Sequence, residues 1–450
     1  MKKVFKDKAF LSTLLMLAIP ITLQSFITSS LNLVDTMMVG KLGETAISAV
    51  GLANQYMFVF TLCLMGINAG ASVFMSQFWG SRDLKGIKTF LGIDLVVGLG
   101  ASALFGGVAF FVPHVVMGIL TSDPEVIAIG VNYLKIVAVS CLFMGVTQAF
   151  SSALRSTEQT KAPMFASLIG VGVNIILNWV LIFGKFGAPQ MGVNGAALAT
   201  MIARLIEVVF IVSVVYCSKN KVASKLNELM NFNIGTIKTY FKTSWSVIVN
   251  ELIFSVGSAA YAAAYAKIST DASATMQIST TIINMFFIFL TGIGFAAAIM
   301  IGNKIGAGEE DVAHQYASHV GKLTPFIGIA LGIAMWISAP SVVSLFNIKP
   351  ETYVAAVKVL RVMAIFMPLR TFNAIMIIGV FRGGGDTTYS MIVQAGTIWF
   401  YSVPLAFIGV TVFKLPVHIV FFLVCTEEII KIPFEVVRLK SGKWLKNLIA

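Results

Sequence analysis

The 450-residue chain is 57% hydrophobic and only 12% charged, with a mean hydropathy of +0.89, proportions that exclude an ordinary soluble domain. Its net charge of +12 would suit nucleic acid, but the basic residues form no patch in a soluble domain. They sit in short loops between apolar runs, so no nucleic-acid partner is expected. Four cysteines, Cys63, Cys141, Cys217 and Cys425, have no metal-ligand spacing and read as packing residues.

The first long apolar segment runs from Phe10 to Val34 and ends on an acid, Asp35. At about 1.5 Å per residue it is long enough to cross a hydrocarbon core of roughly 30 Å. It also carries Pro20 and a polar run of Gln24, Ser25, Thr28, Ser29, Ser30 and Asn32. Polar groups at membrane depth are expensive and are a functional hypothesis by default. The plainer reading is that Asp35 marks where the helix leaves the bilayer. Lysines precede the segment, but it is too long for a signal h-region and lacks a small-residue cleavage site, so it reads as helix one.

In chain order the predicted spans run roughly 9–34, 46–78, 90–112, 129–153, 163–184, 192–217, 241–265, 274–301, 318–346, 355–380, 389–413 and 416–437. With a cytoplasmic N-terminus the inner segments hold 22 lysines and arginines, among them Lys2, Lys3, Lys6, Lys8, Arg155, Lys219 and Arg382, against 6 outside. That asymmetry predicts both termini on the cytoplasmic side of a cell membrane. The longest polar stretch, Ser218 to Lys242, reads as a cytoplasmic linker with a short amphipathic piece at Leu226, Leu229 and Met230. It separates an N-lobe, 1–217, from a C-lobe, 243–450.

The halves look like copies. An offset of 226 puts Gly66–Asp83 on Gly292–Glu309 and Glu125–Val139 on Glu351–Ile365; one residue later Ala153–Met164 meets Val380–Met391. Loop residues coincide as well, such as Gly80 with Gly306 and Arg155 with Arg382. One near-constant offset serving three stretches marks an internal repeat. An even number of spans per half makes the repeat parallel, as in some secondary transporters, and two facing lobes predict a central substrate cleft. The expected fold is thus all-α and polytopic, with twelve transmembrane helices in two six-helix lobes.

Along essentially its whole length the chain resembles a multidrug and toxic compound extrusion (MATE) transporter, of the wider MOP flippase superfamily. The resemblance rests on PITLQSFITSSLNLVDTMMVGKLG in span one, ALRSTEQTKAPM after span four, NIILNWVLIFGKFG in span five, GVNGAALAT opening span six and FRGGGDT after span ten. It implies an antiporter that expels small amphipathic, often cationic compounds against H⁺ or Na⁺ flow. No cofactor is implied beyond that ion, and the protein would work within membrane lipid, as a monomer and not as an enzyme. In one branch of the family the N-lobe cation site uses residues that fall here on Asp35, Tyr133, Asn174 and Thr200. The branch's N-x-x-x-D pair departs: it reads Asn174-x-x-x-Asn178, with an amide in place of the second acid.

The residues support that constellation independently. Spans one, four, five and six bring Asp35, Tyr133, Asn174, Asn178 and Thr200 to similar depths near the outer side, and residues four apart stack on one helix face. One carboxylate with amide, hydroxyl and backbone oxygens can hold Na⁺, and a desolvated carboxyl can equally hold a proton. The competing reading of the two asparagines is ordinary interhelical hydrogen bonding. No other metal position is expected.

Glu251, about ten residues into span seven, is a second candidate, as a coupling or substrate carboxylate near the midplane. The repeat sets Ser25 opposite Glu251 and Tyr261 opposite Asp35. The alternative for Glu251 is a salt bridge to an in-span cation such as Arg370. Asp94 is expected close to the cytoplasmic surface, Arg204 and Glu207 are expected to pair, and Glu427, Glu428 and Lys431 read as an ion-pair group or a cleft feature. Gly383-Gly384-Gly385 lacks a P-loop lysine and reads as a cytoplasmic turn.

The mechanism these expectations favour is alternating access. A cation neutralises Asp35 and lets span one bend at Pro20, which lacks a helix hydrogen bond. Two rivals remain: a lipid-linked oligosaccharide flippase of the same superfamily, and a membrane-embedded enzyme. Twelve spans and few in-span cations disfavour the first. The absence of a nucleophile–base or His/Cys pattern disfavours the second.

Overall fold

A computed structural model describes residues 7–218, 220–346 and 348–449, without the side chains of Asn32 and Leu33. Lys2, Lys3, Lys6, Lys219 and the side chain of Asn32, named above, lie outside the described residues. Every regular element among the described residues is helical. In order these are α1 (Lys8–Gly40), α2 (Glu44–Gly80), α3 (Leu84–Phe111), α4 (Pro113–Leu120), α5 (Pro124–Ser156), α6 (Lys161–Phe183) and α7 (Val193–Cys217). There follow α8 (Leu226–Leu229), α9 (Ile234–Ala266), α10 (Thr270–Gly306), α11 (Glu310–Val343), α12 (Pro350–Phe381), α13 (Thr387–Thr411), α14 (Val417–Cys425) and α15 (Glu427–Ser441).

Eleven of these helices are long and apolar enough to cross a membrane, so the protein is a multi-pass membrane protein. The twelfth expected span is present as two shorter helices, α14 and α15, that meet at Thr426. Local chemistry sets where helices begin. The carboxylate of Asp83 accepts from the backbone N–H groups of Lys85 (2.9 Å) and Gly86 (3.2 Å) at the start of α3. Asp123 does the same for Glu125 and Val126 at α5, with Pro124 in the first turn. α9 starts at Ile234, earlier than the expected 241, and of the expected amphipathic piece Leu229 is buried while Leu226 and Met230 are exposed.

Backbone contacts divide the chain into two compact units. One is Leu23–Ser244; the other joins the chain before Leu23 to Trp245–Ala450. The boundary therefore falls inside α1, just past Pro20. In the first unit Val39, Ala49 and Ala53 pack with Tyr133, Leu134 and Ala197. In the second, Phe10, Leu14, Leu17 and Ile21 of α1 pack among Met300, Phe381 and Trp444. Also in the second unit, α11 presses on α12 through Gly332, where an added Cβ would lie 2.5 Å from the Ala364 carbonyl oxygen. Close helix approach of this kind requires glycine.

Two helices of the second unit contain π turns, Met376–Phe381 ending α12 and Ile398–Ser402 inside α13. Such insertions re-aim side chains and recur at functional sites. The Gly383–Gly385 segment is a turn, as expected, but a buried one. Beside it Asp386, 1% exposed, binds Arg438 (2.7 Å) and Lys446 (2.6 Å), and Trp444 packs against Gly384.

Candidate cation site

Within Leu23–Ser244 the structure brings four of the five sequence candidates into one hydrogen-bond chain. Asn178 Nδ2 donates to Asp35 Oδ1 and to Asn174 Oδ1, the latter at 2.7 Å, and Asn174 Nδ2 donates to Thr200 Oγ1 at 3.3 Å. The four-residue spacing on α6 aligns the two amides, each 1% exposed, between α1 and α7. One lone atom stands out: Asn178 Oδ1 is buried and accepts no hydrogen bond. An orphaned amide oxygen beside a carboxylate and a hydroxyl is the kind of oxygen-donor set that suits a small hard cation. Tyr133 does not join the chain. Its hydroxyl donates to Asn54 Oδ1 at 3.4 Å, while Asp35's charge still acts on it. Asn54 of α2 is a neighbour that sequence reasoning missed. An Asn-Gln pair inside an apolar span was its only signal.

A polar track continues along α7. Arg204, whose charge acts on Asp35, pairs with Glu207 at 2.8 Å, as expected. Ser167 donates to Glu207 (3.1 Å) and accepts from Gln24 Nε2 (3.0 Å), and Gln24 Oε1 accepts from Arg155 (3.4 Å).

The second unit repeats this pattern at the same offsets. Arg382 pairs with Glu251 at 2.8 Å, matching Arg155 with Gln24. Asn250 donates to Gln394 at 3.0 Å, matching Gln24 with Ser167. The hydroxyls of Tyr401 and Thr426 bond at 3.0 Å, matching Asn174 with Thr200. The repeat is thus present in side-chain contacts. These contacts set Gln24 against both Asn250 and Glu251, neighbours of the expected match of Ser25 with Glu251.

Glu251 therefore has the salt bridge posed as its alternative, but with another arginine. Arg370 lies 3.8 Å from Glu428, while Arg382, expected in an inner loop, is buried at the end of α12. The helix runs on through its π turn and carries the guanidinium into the packed interior, where a carboxylate must neutralise it. Farther along, Lys431 pairs with Glu427 (3.0 Å) and Glu428 (3.6 Å), and Asn373 donates to Glu428 at 2.8 Å. Glu427 also accepts from Tyr261, the repeat counterpart of Asp35, and from Ser402 of the α13 π turn. The second unit thus holds a lysine at the place corresponding to the first unit's Arg204.

A family model described as MatE matches residues 20–180 and 246–408, two stretches that begin 226 residues apart. A relative from Thermotoga maritima described as a probable multidrug resistance protein NorM is 23% identical over 441 residues, 97% of this chain and 93% of its own length. The uncharacterized transporter YisQ of Bacillus subtilis is 25% identical over 403 residues, 89% of this chain and 88% of its own. In fold the chain is similar to solved structures of MATE described as bent (TM-score 0.87) and straight (TM-score 0.86), each at 18% identity over 96% of both chains. It is equally similar to an outward-facing MATE family multidrug resistance transporter, with a TM-score of 0.85 at 19% identity over 96% of both chains. A family model that recognises both halves of an all-helical, multi-pass chain leaves one conclusion: the protein belongs to the MatE family, the multidrug and toxic compound extrusion transporters.

Proposed function

We propose that the protein exports small amphipathic, often cationic compounds in exchange for H⁺ or Na⁺ by alternating access, with Asp35 as the coupling acid. The observation that carries this reading is the chain Asp35–Asn178–Asn174–Thr200 with its unpartnered Asn178 Oδ1. In the state described, an amide N–H occupies the carboxylate. A proton or Na⁺ arriving at Asp35 displaces that N–H, and for Na⁺ the amide offers its free oxygen as a further ligand. With an amide where a second acid could stand, the site carries one negative charge and suits one monovalent cation.

Neutralising Asp35 loosens one tie between α1 and α6, another being Gln24 with Ser167. The helix's weak point is Pro20, which has no N–H to donate, and it lies just before the boundary between the two packing units. The relatives' description as multidrug resistance proteins, and the solution of MATE structures in both a bent and a straight conformation, support a drug exporter that changes shape. Glu251 has the second coupling role: held by Arg382 here, it becomes available to a cationic solute or a proton only when that pair opens.

The test is efflux of a fluorescent organic cation from proteoliposomes under an imposed pH or sodium gradient, without ATP. Dependence on one gradient names the coupling ion, and Asp35→Asn should abolish gradient-driven efflux. Unchanged efflux from that variant overturns the role of Asp35.

A further inference from the structure

Asp94 of α3 belongs to none of the sites above. It is 0% exposed, neither of its carboxyl oxygens has a hydrogen-bond partner, and it forms no ion pair among the described residues. A bare carboxylate in such a place is costly and normally neutralises.

Its surroundings come from four elements. Arg155 on α5 is near enough for its charge to act on Asp94. Tyr240 on α9 lies near both Asp94 and Cys63 of α2. On the linker side Lys88 pairs with Glu228 at 2.8 Å. Gly92, two residues before Asp94, lies so close to α8 that a Cβ would stand 1.7 Å from the Leu229 carbonyl oxygen, so the linker packs directly on α3 here.

Arg155 completes the argument. Its repeat counterpart Arg382 has a carboxylate, Glu251, at 2.8 Å, but among the described residues the Arg155 guanidinium donates only to the neutral Gln24 of α1, at 3.4 Å. A charged guanidinium thus sits beside a carboxyl group that it does not bind.

We propose that Asp94 is an internal proton-binding site, and that loss of its proton moves Arg155 from Gln24 to Asp94. The carboxylic O–H breaks, the proton leaves to water on the lysine-rich side, and the new carboxylate takes the guanidinium that is already charged. Gln24 lies four residues past Pro20, so the exchange removes one of its side-chain contacts beside the proline of α1 and leaves the bond to Ser167. The site itself is independent of what the protein exports; only its consequence for transport rests on the proposed antiport.

The test needs no transport. Infrared difference spectra of the purified full-length protein between acid and alkaline pH read protonated carboxyl groups directly. The wild type should show a protonated-carboxyl band that disappears on alkalinisation and is missing from Asp94→Asn. That variant, a neutral isostere, should melt no lower than the wild type near neutral pH. Identical spectra for the two proteins, or a loss of thermal stability in Asp94→Asn, would mean that Asp94 is ionised and overturn the proposal. In proteoliposomes Asp94→Asn should keep solute exchange without a gradient but lose gradient-driven efflux. Failure of the wild type to export under any gradient removes the antiport reading and leaves the spectroscopic result standing.

Discussion

Separating the Glu251–Arg382 pair should show how much of the second unit depends on one buried contact. The two groups meet at 2.8 Å with side chains only 11% and 9% exposed. Glu251→Ala leaves a buried guanidinium without its counter-charge, a change that typically costs about 3–5 kcal/mol. Glu251→Gln is gentler, because it recreates the arrangement that the first unit uses for Arg155, a neutral acceptor at 3.4 Å. Losing the charge while keeping an acceptor should cost about 2 kcal/mol or less. Removing both charges, as Glu251→Leu with Arg382→Met, should come close to neutral, since an apolar pair of similar volume needs no desolvation. Equilibrium unfolding in mixed micelles titrated with sodium dodecyl sulfate reads the whole series. The expected result is a double variant more stable than Glu251→Ala alone. If the two single losses simply add in the double variant, the pair is not coupled and the reasoning fails.

Two further outcomes concern the linker. Gly92→Ala forces a methyl group against the Leu229 carbonyl, a backbone oxygen that cannot rotate away. It should cost about 1–3 kcal/mol, seen as a lower melting temperature and faster proteolysis between Ser218 and Lys242. A wild-type melting temperature and cleavage rate would show that α8 does not press on α3. Lys88 and the Lys225 backbone N–H hold the Glu228 carboxyl below its ordinary range. A depressed folded value means that the contact stabilises above the unfolded value and is lost as pH falls through the folded one. Linker protection from protease should therefore weaken in acid, and Glu228→Gln should flatten that dependence. A variant that keeps the wild-type pH profile would assign the effect to other groups.

Much of the candidate site's geometry was legible because helix geometry is local. A spacing of four on α6 is enough to align Asn174 with Asn178, and repeated apolar runs are enough to carry Asp35 and Thr200 to comparable depths. Arg155 and Arg382 coincide in the repeat, and that coincidence corresponds to a real equivalence of contacts. Their setting was not legible. Both look like loop residues at the ends of apolar runs, and hydropathy does not show that α5 continues to Ser156 or that a π turn extends α12 to Phe381. Glu251 fared likewise: its depth along span seven could be read, but its partner comes from 131 positions away.

Composition, the apolar periodicity and the 226-residue repeat by themselves determined an all-helical, multi-pass, duplicated chain, because each span must satisfy its own backbone and declare itself by length and hydropathy. Partnership of charges was decided only in three dimensions. Glu251 is neutralised by Arg382, Asp94 by no group that bonds it, and Asp35 is tied to an amide that leaves one oxygen free. The physical reason is that a buried charge depends on what lies within a few ångströms of it, and that neighbourhood is assembled from several helices distant in the chain.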